Sequence, residues 1–130
     1  MVKFYIPGKL PGFNEYSNSE RSTRFAASET KRRIEDRIAN TILAQVPGIK
    51  FYEPVVILFH WFETDKKRDK DNIAFAKKFI LDALQKAGTL RGDGWNHVES
   101  FQDCFTISDR SYITVKIWGL TEWLEVAANL

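Results

Sequence analysis

The feature that most constrains the fold is an apolar run at residues 54–62, Pro-Val-Val-Ile-Leu-Phe-His-Trp-Phe. Its apolar residues do not alternate with polar ones, which is typical of a β-strand buried on both faces. Such a strand needs a neighbouring strand along each edge and helices that cover it. The rest of the chain must therefore supply a sheet and helices around this run.

The flanking segments have the periodicities that this requires. We predict strands at 2–6, 54–62, 97–105 and 111–118, helices from Ser28 to Pro47 and from Asn72 to Ala87, a loop over 7–25 and a terminal helical turn within 120–130. Gly88 is expected to end the second helix. This β-α-β-α-β-β order, with a final hairpin-like pair, predicts an α+β fold with a mixed sheet and about two main helices on one side.

Composition limits the remaining possibilities. The chain has 130 residues, enough for a single compact domain over 1–130. The single cysteine, Cys104, excludes an internal disulfide and suits a reducing cytoplasm. No stretch approaches the ~20 apolar residues of a membrane helix, so we expect no membrane partner. The net charge is +2, with basic residues in excess over 1–95, which is compatible with a polyanion partner.

The densest group of ionisable residues, at 65–72, follows the apolar strand. Asp69 and Asp71 are two residues apart, so in extended backbone their carboxylates point the same way. A divalent cation would relieve their repulsion, and oxygen ligands without nearby His or Cys favour Mg²⁺ or Mn²⁺. These residues alone leave open a solvated charged loop in which Asp71 caps the helix.

The second helix carries further charge beside these acids. On a helix that turns about 100° per residue, Lys78 and Asp82 lie close to the direction of Asp71. Lys78 could then stabilise charge on a reacting phosphate while Asp82 supports it. The alternative is an exposed Lys78–Asp82 ion pair worth only ~0.2–0.5 kcal/mol. Lys77 lies near the edge of the apolar face of this helix and is the weaker candidate for stabilising the phosphate.

Asp93 lies between Gly92 and Gly94 in the loop after this helix. If the helix returns the loop to the sheet end that holds Asp69 and Asp71, three carboxylates and Lys78 converge. That set suits metal-assisted hydrolysis of a phosphodiester, because it provides ligands, a metal-activated water and positive charge. A simple Asp-Gly turn is the alternative.

Other polar residues are suited to nucleic acid. Phosphates or unstacked bases could be bound by the 14–25 segment and by the cations that flank the acids: Asn14, Tyr16, Arg21, Arg24, Lys66, Lys67, Arg68 and Lys70. For each basic residue, an ordinary solvated charge is the alternative.

These motifs resemble the RusA family of Holliday junction resolvases, phage-type crossover junction endodeoxyribonucleases. The resemblance covers most of the chain and rests on Asp69-Lys70-Asp71-Asn72, on Leu81-Asp82-Ala83-Leu84-Gln85-Lys86-Ala87-Gly88, on Asp93, and on Ile6-Pro7-Gly8 followed by Asn14. Two departures are a longer helix between Asp71 and Asp82, and Gly92 where many members carry a second acid.

The resemblance implies a Mg²⁺- or Mn²⁺-dependent endonuclease in the cytoplasm of a bacterial or phage-infected cell. It would act as a homodimer on branched DNA, resolving four-way junctions by paired phosphodiester hydrolysis in recombination and repair. The family's metal ligands fall on Asp69, Asp71 and Asp93, and Asn72 lies where DNA would approach. Its catalytic lysine falls on Lys78 when the helix is matched backwards from Asp82, whereas counting forward from Asp71 reaches Phe75. A non-catalytic nucleic-acid-binding module is the alternative function.

Overall fold

The computed structural model describes residues 1–20 and 24–130, without the side chains of residues 19 and 20. In chain order the elements are β1 (Val2–Pro7), α1 (Phe13–Glu20), α2 (Arg24–Gln45), β2 (Val55–Glu63), α3 (Lys70–Ala74), α4 (Lys77–Lys86), β3 (Val98–Ile107), β4 (Tyr112–Gly119) and α5 (Leu120–Ala128). In this described part of the chain, no helix has both the length and the apolar character needed to cross a membrane.

The four strands form one mixed sheet in the order β1-β4-β2-β3. β4 is antiparallel to both of its neighbours, whereas β2 and β3 run parallel. The expected hairpin-like pairing of the last two strands is wrong, because β2 lies between them. The crossover through α3 and α4 returns the chain to the amino end of β2, so that β3 pairs with β2 in the parallel direction.

One face of the sheet forms the core together with the helices. Its buried side chains, all at most 4% exposed, include Phe4, Ile6, Ile57, Phe59, Trp61, Ile113, Val115 and Ile117. The covering helices contribute Ile38 and Ile42 from α2 and Phe79, Ile80, Ala83 and Leu84 from α4. The predicted α+β class with a single compact domain is confirmed, and α2 and α4 correspond to the two expected main helices.

The opposite face of the sheet is largely uncovered. Leu58, His60 and Phe62 of β2 are only half-buried, whereas their neighbours Phe59 and Trp61 are inaccessible to solvent. The prediction that this strand is buried on both faces is therefore wrong. Its lack of polar alternation reflects apolar residues on a partly solvated face.

Two helix boundaries differ from the prediction. The 7–25 segment, predicted as a loop, contains α1, and α2 begins at Arg24 rather than at Ser28. The sequence of α1 is rich in Ser and Asn, which have weak helix propensity. Tertiary packing outweighs that propensity, because Phe13 and Tyr16 of α1 contact the rings of Phe75 and Phe79.

The helix predicted over 72–87 is broken into α3 and α4 at Phe75 and Ala76. Backbone hydrogen bonds at the break span three residues, from Lys78 N–H to Phe75 C=O (3.2 Å) and from Phe79 N–H to Ala76 C=O (3.0 Å). This 3₁₀ geometry turns about 120° per residue, so α4 is rotated relative to a continuous α-helix. The predicted stop at Gly88 is confirmed, since its φ of 78° ends α4.

Candidate functional site

A cavity of about 590 Å³ opens at the carboxyl end of β2 and β3. Its lining includes the acidic residues Glu63, Asp65, Asp69 and Asp71, the basic residues Lys66, Arg68 and Lys70, and Phe105, Thr106 and Ile107 of β3. The cavity lies beside the crossover between parallel strands. Ligands commonly bind in such a position, because the connecting segments leave the sheet there.

Asp69 and Asp71 lie where the chain changes from loop to helix. Asp69 occupies the N-cap position of α3 with extended backbone (φ −68°, ψ 154°), yet its side chain makes no capping hydrogen bond. The Asp71 carboxylate accepts a hydrogen bond from the adjacent Asn72 N–H at 2.9 Å. The Asp71 side chain thus satisfies one backbone N–H in the first turn of α3, as a capping side chain does, and both exposed carboxylates line the cavity.

A second cavity, of about 400 Å³, shares these two carboxylates. Its other lining residues are Phe13, Asn14, Asn72 and Phe75. The Asn14 N–H donates to the Asn72 side-chain oxygen at 2.9 Å. Gly12 permits this approach, because a Cβ there would lie 2.7 Å from the Asn72 carbonyl oxygen. Asn14 and Asn72 are thus brought beside Asp69 and Asp71.

Arg68 has a structural partner that the sequence did not indicate. Its guanidinium donates to the Glu63 carboxylate at 2.8 Å and to the Leu10 carbonyl at 3.1 Å, and its side chain is only 14% exposed. Arg68 thus anchors the β1–α1 connection to the end of β2. Glu63 was missed by sequence reasoning, although the alternation through Phe59 and Trp61 places it on the core side.

The other predicted DNA contacts are spread more widely. Lys66, Lys67 and Lys70 are exposed, and Lys66 and Lys70 line the larger cavity. Tyr16 packs on Phe75 and Phe79 instead of extending into solvent. Arg24 is exposed at the start of α2, and Arg21 lies outside the described residues.

Lys78 lies in a third cavity, of about 360 Å³, lined also by Phe13, Lys31 and Phe75. Phe13 and Phe75 line the second cavity too, but Lys78 lines only the third cavity and Asp71 only the first two. The expectation that Asp82 pairs with Lys78 is wrong, because the Asp82 carboxylate lies 3.6 Å from the Lys31 ammonium. The break between α3 and α4 rotates Lys78 from its predicted direction.

Lys77, the weaker lysine candidate, is held on the core side of β3. Its ammonium pairs with the Asp103 carboxylate and lies 4.2 Å from the Phe101 ring centroid. Asp103 also accepts a hydrogen bond from the Trp61 indole at 2.8 Å. Lys77 is therefore part of the packing between α4 and the sheet.

Asp93 lies at the opposite end of the sheet from Asp69 and Asp71. The adjacent Gly94 carbonyl accepts the N–H of Val98, the first residue of β3, at 3.0 Å. Val98 pairs with Val55, the first residue of β2. Because a nine-residue strand separates the two ends, roughly 26 Å lies between them. The expected convergence of Asp93 with the other acids within one chain is wrong, since the helices run back along the sheet.

The donor set fits a hydrated divalent cation with few protein ligands. Within residues 1–20 and 24–130, no three His, Cys, Asp or Glu side chains form a metal-binding group. Mg²⁺ is commonly held by one or two carboxylates, with water and substrate phosphate completing its coordination. Asp69 and Asp71 meet that requirement and could bring a cation and its water to a phosphate.

The chain was also compared with known proteins. No protein-family model matches it, and no curated protein sequence matches it significantly.

Proposed function

We propose that the protein is a Mg²⁺- or Mn²⁺-dependent endodeoxyribonuclease that cuts branched DNA, with the four-way junction as its substrate. The observation that carries the proposal is the pair of exposed carboxylates, Asp69 and Asp71, that lines two adjoining cavities. The resemblance of the surrounding motifs to RusA resolvases supports the same chemistry. The free thiol of Cys104 is compatible with action in a bacterial or phage-infected cytoplasm.

In this proposal each group has a physical role. Asp69 and Asp71 would hold the cation, which when bound would supply an activated water and positive charge beside the phosphate. Asn14 and Asn72 orient the sugar-phosphate backbone through their amides. Lys66 and Lys70 offset the repulsion between the acidic site and an approaching phosphate chain. Lys78 lies on the far side of Phe75 and stabilises the DNA strand that passes there.

In the proposed homodimer, Asp93 of one chain contributes to the metal site of the other. β3 is an edge strand of ten residues, VESFQDCFTI, and contains neither Lys nor Pro. Such strands are prone to pair with another chain. Antiparallel pairing of β3 with the same strand of a second copy would place the amino end of one protomer beside the carboxyl end of the other. Asp93 of one chain would then approach Asp69 and Asp71 of its partner, which gives two equivalent sites.

The proposal is tested by a cleavage panel on four-way junction, fork, flap and duplex DNA with Mg²⁺, Mn²⁺ or EDTA. We expect junction cutting with either metal, none with EDTA, and a loss of about a thousandfold in Asp71→Asn with junction binding retained. Asp109→Asn is the matched control, because it removes a carboxylate at the same end of the sheet but outside both cavities.

Two results would overturn the proposal. One is parental cutting by Asp71→Asn, which would place the chemistry elsewhere. The other is metal-independent binding without cutting of any DNA in the panel, which would favour the non-catalytic binding module.

A further inference from the structure

The uncovered face of the sheet carries a continuous group of rings, which we call the aromatic face: Tyr5, His60, Phe62 and Tyr112. The centroids of His60 and Phe62 are 4.0 Å apart, and those of Phe62 and Tyr112 are 4.1 Å apart with an interplanar angle of 12°. Tyr5 adjoins Tyr112 at 5.2 Å. All four rings are half-buried, so each presents part of its surface to solvent.

The aromatic face is bordered by cations. Lys3 of β1 is directly opposite Lys116 of β4, and the Arg110 guanidinium lies 5.4 Å from the Tyr112 centroid. Like charges at directly opposed strand positions are destabilising. None of the described side chains that strand alternation directs to this face is acidic. A bound anion would therefore relieve the repulsion between Lys3 and Lys116.

The surroundings of His60 disfavour its charged form. Burial, followed by the charges of Lys116 and Lys3, lowers the pKa of His60 below its ordinary value. Its Nε2 lies 2.7 Å from the Thr106 hydroxyl, which fixes the ring beside Phe62.

We propose that the aromatic face binds single-stranded DNA. Unpaired bases would stack on the rings of Phe62 and Tyr112, and phosphates would contact Lys3, Lys116 and Arg110. Stacking on aromatic side chains within a cationic groove is the general mode of sequence-tolerant single-strand binding. A second copy packed on this face would bring the same strand cations, Lys3 and Lys116, against each other, which disfavours that occupant.

The aromatic face is continuous with the candidate metal site. Thr106, the partner of His60, also lines the cavity that contains Asp69 and Asp71. A strand that follows the aromatic face toward Phe62 would reach those carboxylates at the end of β2. This link to cutting rests on the proposed endonuclease function, whereas binding of the single strand does not.

The test is fluorescence anisotropy of a labelled oligothymidine in EDTA, so that no cutting can occur. We expect Phe62→Leu/Tyr112→Leu to bind about tenfold more weakly, because leucine keeps apolar bulk but removes the stacking surface. Tyr52→Leu is the matched control: Tyr52 is 76% exposed and carries Arg91 at 5.8 Å, but it lies before β2, away from the aromatic face. Parental binding by the double variant would overturn the proposal.

A second variant guards against loss of folding. In Lys3→Gln/Lys116→Gln both changes are on the sheet surface, and we expect the slope of log affinity against log salt to fall by about one to two. An unchanged slope would contradict phosphate contact at this face. Sedimentation of the same variants tests the other occupant: loss of self-association with unchanged DNA binding would assign the face to a second copy and overturn the proposal.

The two proposals can fail separately. If the parental protein cuts junctions and the aromatic-face variants bind oligothymidine normally, only the single-strand proposal fails. If oligothymidine binding depends on the aromatic face but no DNA is cut with any metal, only the endonuclease proposal fails. Asp71→Asn should bind oligothymidine at least as tightly as the parental protein, since it removes a negative charge.

Discussion

At the carboxyl end of β2 and β3, acidic groups lie in cavities with defined neighbours, whereas Asp93 at the amino end is exposed between two glycines. The first end holds the buried Glu63–Arg68 ion pair and the Asp69–Asp71 pair. The second end also has a cavity, lined by Glu53, Glu122 and Glu125, but Asp93 is not among its lining residues. The crossover between β2 and β3 runs the length of the sheet, so Asp93 and the Asp69–Asp71 pair lie at opposite ends of it. These residues can therefore approach each other only if they belong to different chains.

Whether Asp93 of one chain completes the Asp69–Asp71 site of its partner is tested most directly by mixing two inactive variants. In an antiparallel β3 dimer, a heterodimer of Asp71→Asn and Asp93→Asn has one site with both defects and one intact site. Equimolar mixing with free exchange should therefore restore about a quarter of the parental sites, from a background near zero.

The readout is the nicking of a labelled junction after the two proteins have been unfolded and refolded together. Each variant mixed with itself is the control. If the mixture stays inactive while each variant still binds junctions, Asp93 does not complete a partner's site. Full activity of Asp93→Asn alone would remove this residue from the chemistry altogether.

A second experiment compares the contributions of a largely buried ion pair and an exposed ion pair to the free energy of unfolding. Glu63→Gln removes the closer and more buried of the two carboxylates that pair with the Arg68 guanidinium, which is 14% exposed. We expect the free energy of unfolding to fall by about 3 kcal/mol. Asp36→Asn removes a carboxylate from the exposed pair with Lys86 and should cost less than about 1 kcal/mol. Urea denaturation measures both, and equal losses would show that the Glu63–Arg68 pair has no special structural role.

Substitution of Lys78 should lower the cutting rate, whereas substitution of the neighbouring Lys77 should lower the stability of the fold. Lys78→Gln alters an exposed residue, so we expect cutting to slow by about tenfold with the unfolding free energy nearly unchanged. Lys77→Gln leaves Asp103 partly buried and without its cation, and should lower the unfolding free energy by about 2 kcal/mol. Single-turnover cleavage and urea titration of both variants test this, and a reversed pattern would make Lys77 the functional lysine.

The fold was largely predictable because periodicity reports which residues face a core. The strand predicted over 111–118 and the helix end predicted at Gly88 each reflect local physics that tertiary structure preserves. The hairpin error arose because strand order depends on long-range pairing. The sequence contains no local signal that the apolar run lies between β3 and β4 and pairs with both.

The candidate site was predictable only where its parts are adjacent in sequence. Asp69, Asp71 and Asn72 share one loop-to-helix junction, and the structure keeps them together. The predicted direction of Lys78 assumes an unbroken α-helix. The 3₁₀ turn at Phe75 changes that direction. Asp93 was placed by assuming that the crossover returns to its starting edge. The Glu63–Arg68 pair required knowledge of where β2 ends.

The smallest predicted effect concerns His60, midway along β2 between the two ends. Burial and the charges of Lys116 and Lys3 lower its pKa from 6.5 in the folded state. The unfolded chain therefore binds a proton more readily, so the stability due to neutral His60 is present above about pH 6.5 and is lost as pH falls through the lower folded pKa. Thr106 is the hydrogen-bonding group that faces it.

Urea denaturation between pH 5 and 8 tests this linkage. His60→Gln should lose less unfolding free energy on acidification than the parental protein, because glutamine does not titrate. Lys116→Gln should show an intermediate loss, since it removes one of the charges that oppose protonation. An acid loss unchanged in His60→Gln would mean that His60 does not contribute to the pH dependence of stability.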